Sequence, residues 1–231
     1  MEKIKINELV DFRRKQSDKS KKNFAYKLKT RVPKIKTDAE KEEEDPRDYW
    51  VFSTSCIYNA YKNGSDEFYD PKIEELQLKM SKPELKSSPL SMYKRNRDIL
   101  LSFKEFGLND LRPEKLTRQG VQKEHKIITL TDFPLYVKPT LVFSHERNGK
   151  NEIGALWLVP QVEGFKKPEL GIFCEVLYRF LVKNYSDNFQ ISPEYCIAID
   201  TFNAQSVTYL DLLNDNIPFL LDKTLNEMKE L

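Results

Sequence analysis

The segment from residue 168 to residue 185 constrains the fold most, because it has the length of a helix and is apolar on nearly all sides. Its one clear polar stripe consists of Glu175, Arg179 and Lys183. A helix with so little polar surface is expected to be buried. Apolar runs at residues 153–159 and 195–202 flank it and predict two buried strands. We therefore expect this helix to pack across a sheet.

Weaker patterns on either side complete the order of elements. The predicted helices before the sheet cover residues 7–14, 49–61, 71–80 and 90–106, and a final helix begins at Pro218. The predicted strands cover residues 126–130, 134–144, 153–159 and 195–202, with a return hairpin at 207–210. This order predicts an α/β (α+β) fold with a helical N-terminal half, followed by a mixed central sheet and a buried crossing helix.

Charge divides the chain into an N-terminal segment and a body. Residues 1–36 hold thirteen Lys and Arg against four Asp and Glu, a net charge of +9. Residues 37–48 hold seven acids against two cations, a net charge of −5. We predict a basic arm and acidic linker at residues 1–48 and a single α/β domain at residues 49–231. Within that domain, residues 49–110 form a helical part and residues 126–231 the sheet-containing part.

The basic arm is the predicted binding segment. Its cations are interleaved with Phe24, Tyr26 and Leu28, and this mixture suits nucleic acid because cations contact phosphates and rings stack on bases. We expect residues 13–36 to be poorly ordered alone. The alternative is an amphipathic segment whose few apolar residues dock on the body. The candidate nucleic-acid or partner-binding residues are Arg13, Arg14, Lys15, Lys19, Lys21, Lys22, Lys27, Lys29 and Arg31.

Several common chemistries lack their motifs in this chain. The seven glycines form no G-x-G or G-K-[ST] phosphate loop. No Ser or Cys lies in a nucleophile-elbow pattern for which one of the two histidines would act as the base. The three cysteines are too widely spaced for a zinc site or a disulfide framework. We therefore predict no catalytic residue, no metal site and no cofactor, and three reduced, mostly buried thiols.

The order helix, three strands, buried helix, strand resembles the PD-(D/E)XK nuclease superfamily, over about half the chain. In that family an aspartate near the second strand and a Glu-x-Lys on the third hold the metal and position the attacking water. Here Pro139-Thr140 stands where Pro-Asp is expected, and the third strand offers Ala155 and Trp157, or Gly154 and Leu156. None of these third-strand side chains coordinates a divalent cation, and threonine is a poor ligand for one. The resemblance therefore implies a degenerate nuclease core.

The whole chain also resembles an uncharacterised bacterial protein family, with which no established function is associated. The likeness is strongest at residues 7–15, 154–157, 169–173 and 193–198. Degenerate nuclease-like folds serve as accessory subunits in bacterial DNA metabolism and phage defence, which gives an expectation by analogy. Displaced acids could rebuild a metal site, and a buried Asp200 would need a partner such as Arg179 or Lys183. The candidate displaced acids are Glu146, Glu152, Glu163, Glu175 and Asp200.

The preferred interpretation is a non-catalytic nuclease-like accessory subunit of a bacterial DNA-handling or phage-defence assembly. It would bind a protein partner in a larger complex, and nucleic acid through the basic arm. One alternative is a divergent metal-dependent nuclease that uses displaced acids. The other is a protein-binding adaptor or immunity-type protein. No apolar run has the length of a membrane span and no signal-peptide core is present, so we expect a cytoplasmic protein with no membrane contact.

Overall fold

The computed structural model describes residues 2–32 and 49–231, so the acidic linker predicted at residues 37–48 lies outside the described residues. The helices are α1 (Ile6–Arg13), α2 (Asp18–Thr30), α3 (Val51–Asn63), α4 (Tyr69–Met80), α5 (Ser87–Glu105), α6 (Lys167–Tyr185), α7 (Tyr209–Leu213) and α8 (Leu221–Glu230). The strands are β1 (Ile4–Lys5), β2 (Thr117–Gln119), β3 (Ile127–Leu130), β4 (Phe133–Tyr136), β5 (Leu141–Arg147), β6 (Lys150–Val159), β7 (Gln190–Asp200) and β8 (Gln205–Thr208). Within these ranges no helix is long and apolar enough to cross a membrane.

A five-stranded mixed sheet lies at the centre of the molecule, in the order β2-β5-β6-β7-β8. β2 pairs with β5, and β5 with β6, in antiparallel fashion. The β5–β6 hairpin turns at Asn148-Gly149, where φ is 51° and 72°, as the tight-turn signal predicted. β7 lies parallel to β6 because α6 crosses over between them, and β8 returns antiparallel to β7. The predicted α/β class, mixed sheet and crossing helix are confirmed.

Side chains alternate between the two faces of this sheet and build a core on each. On β6, Ala155 and Val159 join the buried cluster under α6, whereas Leu156 and Leu158 join a second cluster under α3, α4 and α5. β7 repeats the pattern with Ala198 on the α6 side. Both neighbouring strands are therefore buried on both faces, which is why the sequence shows continuous apolar runs there.

The segment from residue 126 to residue 136 does not belong to the central sheet, so the prediction that it supplies the first strand there is wrong. β3 and β4 form a hairpin that pairs with β1 in a separate three-stranded sheet, in the order β1-β4-β3. Its turn is Thr131-Asp132, with φ of 48° and 70°. The predicted single strand at 134–144 is divided between the two sheets. The edge strand beside β5 is β2, which is only three residues long and has no apolar pattern.

Residues 2–32 are built into the core. Their buried apolar side chains in the cluster under α6 are Ile4, Ile6, Leu9, Val10, Phe12, Ala25 and Leu28. α2 begins after Ser17, whose hydroxyl accepts a hydrogen bond from the Ser20 N–H at 3.3 Å. The expectation of a poorly ordered arm is therefore wrong for residues 13–32. The docked amphipathic segment, which was the alternative, describes them correctly, so this part of residues 1–48 is not an appendage.

Candidate functional site

A cleft of about 580 Å³ opens at one edge of the central sheet. It exists because β2 ends opposite Val142, which leaves the beginning of β5 without a strand on its outer side. One wall is α3 and the other is the end of β6. The residues that line the cleft are Thr54, Ser55, Tyr58, Arg118, Lys138, Pro139, Thr140, Trp157, Leu158 and Pro160.

Thr140 fixes the floor of this cleft. Its N–H donates to the carbonyl oxygen of Leu156 at 2.8 Å, and its Oγ1 accepts a hydrogen bond from the Leu158 N–H at 2.9 Å. The Thr140 side chain therefore accepts a hydrogen bond from β6 in place of a strand carbonyl, one residue before β5 begins. This is also the position at which the resemblance to nucleases places a metal-binding aspartate. In this chain the residue at that position instead joins the backbone before β5 to the backbone of β6.

The electrostatic character of the cleft comes from Arg118 and Lys138. Both side chains are exposed, and within the described residues neither has an ion-pair or hydrogen-bond partner. None of the lining residues that the structure describes is a carboxylate, a histidine or a thiol. Two cations without a neutralising acid create a local positive potential that attracts anions. The arrangement is suited to binding an oxyanion such as a phosphate.

The predicted binding cations on α1 and α2 divide into a paired group and an exposed group. Arg14 makes two hydrogen bonds to Glu169, at 2.7 and 2.6 Å. Arg31 pairs with Glu8 at 2.5 Å and Glu2 at 2.8 Å. The remaining partnered members are Lys21 with Glu227, Arg13 with the Thr224 hydroxyl, Lys15 over the Phe24 ring and Lys29 with the Lys229 carbonyl.

The exposed group is a face of α2 that points away from the core. Lys19, Lys22 and Lys27 are exposed and have no ion-pair partner among the described residues. Tyr26 lies between them and is 66% exposed. Among the residues that the structure describes, three of the nine predicted cations are therefore unpaired, and most of the others hold the N-terminal segment against the body.

The pairing of Arg14 with Glu169 anchors the N-terminal segment to α6 through two hydrogen bonds. Burial raises the pKa of Glu169, but the hydrogen bonds from Arg14 and the Lys166 backbone outweigh it and leave the pKa below its usual value. The same contact raises the pKa of Arg14. Arg14 also donates to the carbonyl oxygen of Gly164 at 3.0 Å. This arginine therefore ties α1 to the beginning of α6, and its charge is already paired with Glu169.

The candidate displaced acids occupy separate places. Asp200, fully buried, accepts hydrogen bonds from the backbone of Phe165, Phe202 and Asn203. The side-chain amides of Asn203 and Gln205 also donate to it, at 2.8 and 3.5 Å. Its partners are thus uncharged N–H groups, and the expected pairing with Arg179 or Lys183 is wrong. Arg179 instead pairs with Asp222 at 2.5 Å, while the Lys183 ammonium group lies 3.5 Å from the Ile127 carbonyl oxygen.

Two other acids have equally clear structural partners. Glu175 accepts from the Leu220 and Leu221 N–H groups at 2.7 and 2.9 Å, which caps the start of α8, and burial raises its pKa. Glu152 lies 3.6 Å from His145 on β5, and burial lowers the pKa of that histidine.

These acids do not converge on one point. Glu152 pairs in register with Gln190 and Asp200 with Val159, so they lie at opposite ends of the β6–β7 ladder, about 20 Å apart at ~3.3 Å per residue. Glu146 lines a cavity next to the β5–β6 turn, and Glu163 lies in the loop before α6. Within the described residues, no group of three or more His, Cys, Asp or Glu is placed to hold a metal ion. The three cysteines are buried and free, as predicted.

The cleft residues were not found from the sequence. Arg118 and Lys138 lie far apart along the chain and are single cations in a chain with 38 Lys and Arg. Tyr58 lies on a helix whose pattern indicates only packing. The one available signal was Pro139-Thr140, which marked the place without revealing which side chains surround it.

Comparisons of the chain with protein-family models, with curated proteins and with solved structures found no match. The interpretation of the cleft therefore rests on its geometry and its charge.

Proposed function

We propose that this protein is a non-catalytic, nuclease-like accessory subunit that binds nucleic acid at the sheet-edge cleft. The observation that carries the proposal is that cations stand where the resemblance expects acids. Where the nuclease resemblance expects metal-binding acids, the cleft has Thr140 engaged with the backbone and two cations, Arg118 and Lys138, that are unpaired among the described residues. A site with this charge binds phosphate groups and has no carboxylate among its lining residues to hold a divalent ion.

The arrangement of the central sheet supports the nuclease-like part of the proposal. Starting from α5, the chain supplies β2, β5 and β6, crosses by α6 and adds β7 beside β6. The resemblance rests on the order helix, three strands, helix, strand with residues 126–130 as the first strand, whereas in the structure that segment lies in the small sheet and β2 takes the first place in the central sheet. The cleft lies beside the second and third strands of that series.

We further propose that the protein works in the cytoplasm as part of a bacterial DNA-handling or phage-defence assembly, together with a protein partner. Support for a protein partner comes from apolar side chains that remain exposed near the C-terminal end. Leu210 and Leu213, three residues apart on α7, are 37% and 49% exposed, and Phe219 is 46% exposed. If these side chains form one contiguous patch, they would offer an apolar surface to a partner.

The binding experiment compares the parent with Arg118→Gln/Lys138→Gln by fluorescence anisotropy, using a labelled oligonucleotide at low salt. We expect the double variant to bind about tenfold more weakly, since two phosphate contacts of about 0.7 kcal/mol each are lost. Lys115→Gln/Lys150→Gln removes the same charge from two exposed lysines near the opposite end of the β5–β6 hairpin and should bind like the parent. Equal losses in both double variants would show that binding is delocalised and would refute the cleft as the binding site.

A cleavage assay separates the proposal from a divergent nuclease. The protein, incubated with plasmid and Mg²⁺ or Mn²⁺, should leave the DNA intact. Cutting that co-purifies with the protein, stops with chelator and disappears in Glu152→Gln or Asp200→Asn would establish the displaced-acid alternative. If no oligonucleotide binds while a protein partner does, the adaptor alternative is correct.

A further inference from the structure

The cleft continues into a second cavity, which makes it an elongated groove. This second cavity has a volume of about 180 Å³ and shares Arg118, Lys138, Pro139 and Thr140 with the first. It adds Lys126, which stands before β3 and is half-buried. The groove therefore runs from α3, past the open beginning of β5, to the small sheet. Three cations line it, and none of them has an ion-pair partner in the part of the chain that the structure describes.

Aromatic side chains lie at the α3 end of this groove. Tyr58 lines the cleft with its ring packed against the cluster under α3, α4 and α5. Across the cleft, Trp157 is held edge-on against Phe173, with ring centroids 5.3 Å apart. Both rings are fixed by the core, so a ligand that stacks on them does not have to order them first. The Tyr58 hydroxyl has no hydrogen-bond partner among the described residues.

We infer that the groove takes one strand of nucleic acid and not a duplex, a conclusion that rests on the proposed function and specifies its ligand. An unstacked base enters the cleft against Tyr58, and successive phosphates lie along Arg118, Lys138 and Lys126. Single-strand sites elsewhere combine the same two components, a cationic track for the backbone and rings for the bases. A cavity of about 580 Å³ has the size of a small-ligand pocket. A duplex keeps its bases stacked inside and has no group of that size to insert.

The test uses the full chain and three probes: a labelled 12-nucleotide single strand, the duplex of the same sequence, and unlabelled adenosine monophosphate as a competitor. The single strand should bind at least tenfold more tightly than the duplex. The mononucleotide should compete only at a concentration about a hundredfold higher than an unlabelled strand, because it carries a single phosphate and leaves most of the cationic track unoccupied. Tyr58→Leu should weaken single-strand binding about tenfold, within the range for loss of one stacked base.

Matched variants keep the test decisive. Tyr26→Leu removes an exposed tyrosine from α2 and should leave the affinity unchanged. Tyr58→Phe retains the ring and should bind within about threefold of the parent, so the inference remains testable if Tyr58→Leu does not fold. Equal affinity for strand and duplex, or equally effective competition by the mononucleotide, would overturn the inference. If binding still depends on Arg118 and Lys138 in that case, the proposed function survives. If that dependence is also absent, both fail.

Discussion

At the residue scale, the carboxylate of Asp200 shows how a buried acid at the end of a central strand can serve a structural role. It is fully buried, and backbone N–H groups from two loops, the one before α6 and the one after β7, donate to its oxygens at 2.8 to 3.3 Å. The Asn203 side chain also donates, at 2.8 Å. Gly164 leaves room for this network, since a Cβ there would lie 2.2 Å from an Asp200 oxygen. Asp200 therefore joins the end of β7 to the loop before α6.

We predict that Asp200→Asn lowers the free energy of unfolding by about 1–3 kcal/mol, because an amide cannot accept from all of these donors and leaves some unsatisfied. Urea denaturation measures the change. Asp132→Asn is the matched control, because Asp132 is exposed and its one ion pair among the described residues is with Lys229 at the surface. It should cost less than about 0.5 kcal/mol. Equal, small effects of the two substitutions would contradict the structural role of Asp200.

The sequence predicted that a buried Asp200 needs a partner but not what the partner is. Cations spaced along α6 suggested Arg179 or Lys183, because charge pairing is visible in a sequence. Capping of a turn by a carboxylate depends instead on where the backbone turns, and nothing local encodes the approach of Phe165 to Asp200. The same limit applies to the cleft, where distant cations meet only after the sheet has formed.

At the element scale, α2 is the clearest case in which composition was misleading. Its sequence is dominated by cations, and Ala25 and Leu28 are its only fully buried residues. Such a weak apolar stripe predicted a solvated arm. The structure holds the helix through Leu28 and through surface pairs such as Lys21 with Glu227. By contrast, α6 was predicted with nearly its observed bounds, because an apolar helix flanked by apolar strands has one way to pack.

We predict that Leu28→Ala lowers the free energy of unfolding by about 2–5 kcal/mol, the usual range for a buried leucine. The side chain is 2% exposed, so the substitution leaves a cavity beneath α2. Tyr26→Ala on the same helix, where the side chain is 66% exposed, should cost less than about 1 kcal/mol. Thermal or urea unfolding of the two variants measures the contrast. Equal stability of both would mean that α2 is a loosely attached arm after all.

At the scale of the whole molecule, the central sheet separates two cores and ends in an open edge. The core under α6 includes the N-terminal helices, and the other lies under α3, α4 and α5. The short β2 covers only part of β5, so the groove forms where the layers meet at this edge. The fold class followed from the sequence because the buried helix and strands dominate it. The strand at the edge did not, because three polar residues carry no pattern.

The central claim, that cations in this cleft bind nucleic-acid phosphates, is tested most directly by the salt dependence of oligonucleotide affinity. The logarithm of the association constant should fall linearly with the logarithm of salt concentration, by about 0.7 per phosphate contact for a single strand. Arg118→Gln/Lys138→Gln should therefore reduce the slope by about 1.4, whereas Lys115→Gln/Lys150→Gln should leave it unchanged. A slope that is the same in the parent and in the cleft variant would contradict the account.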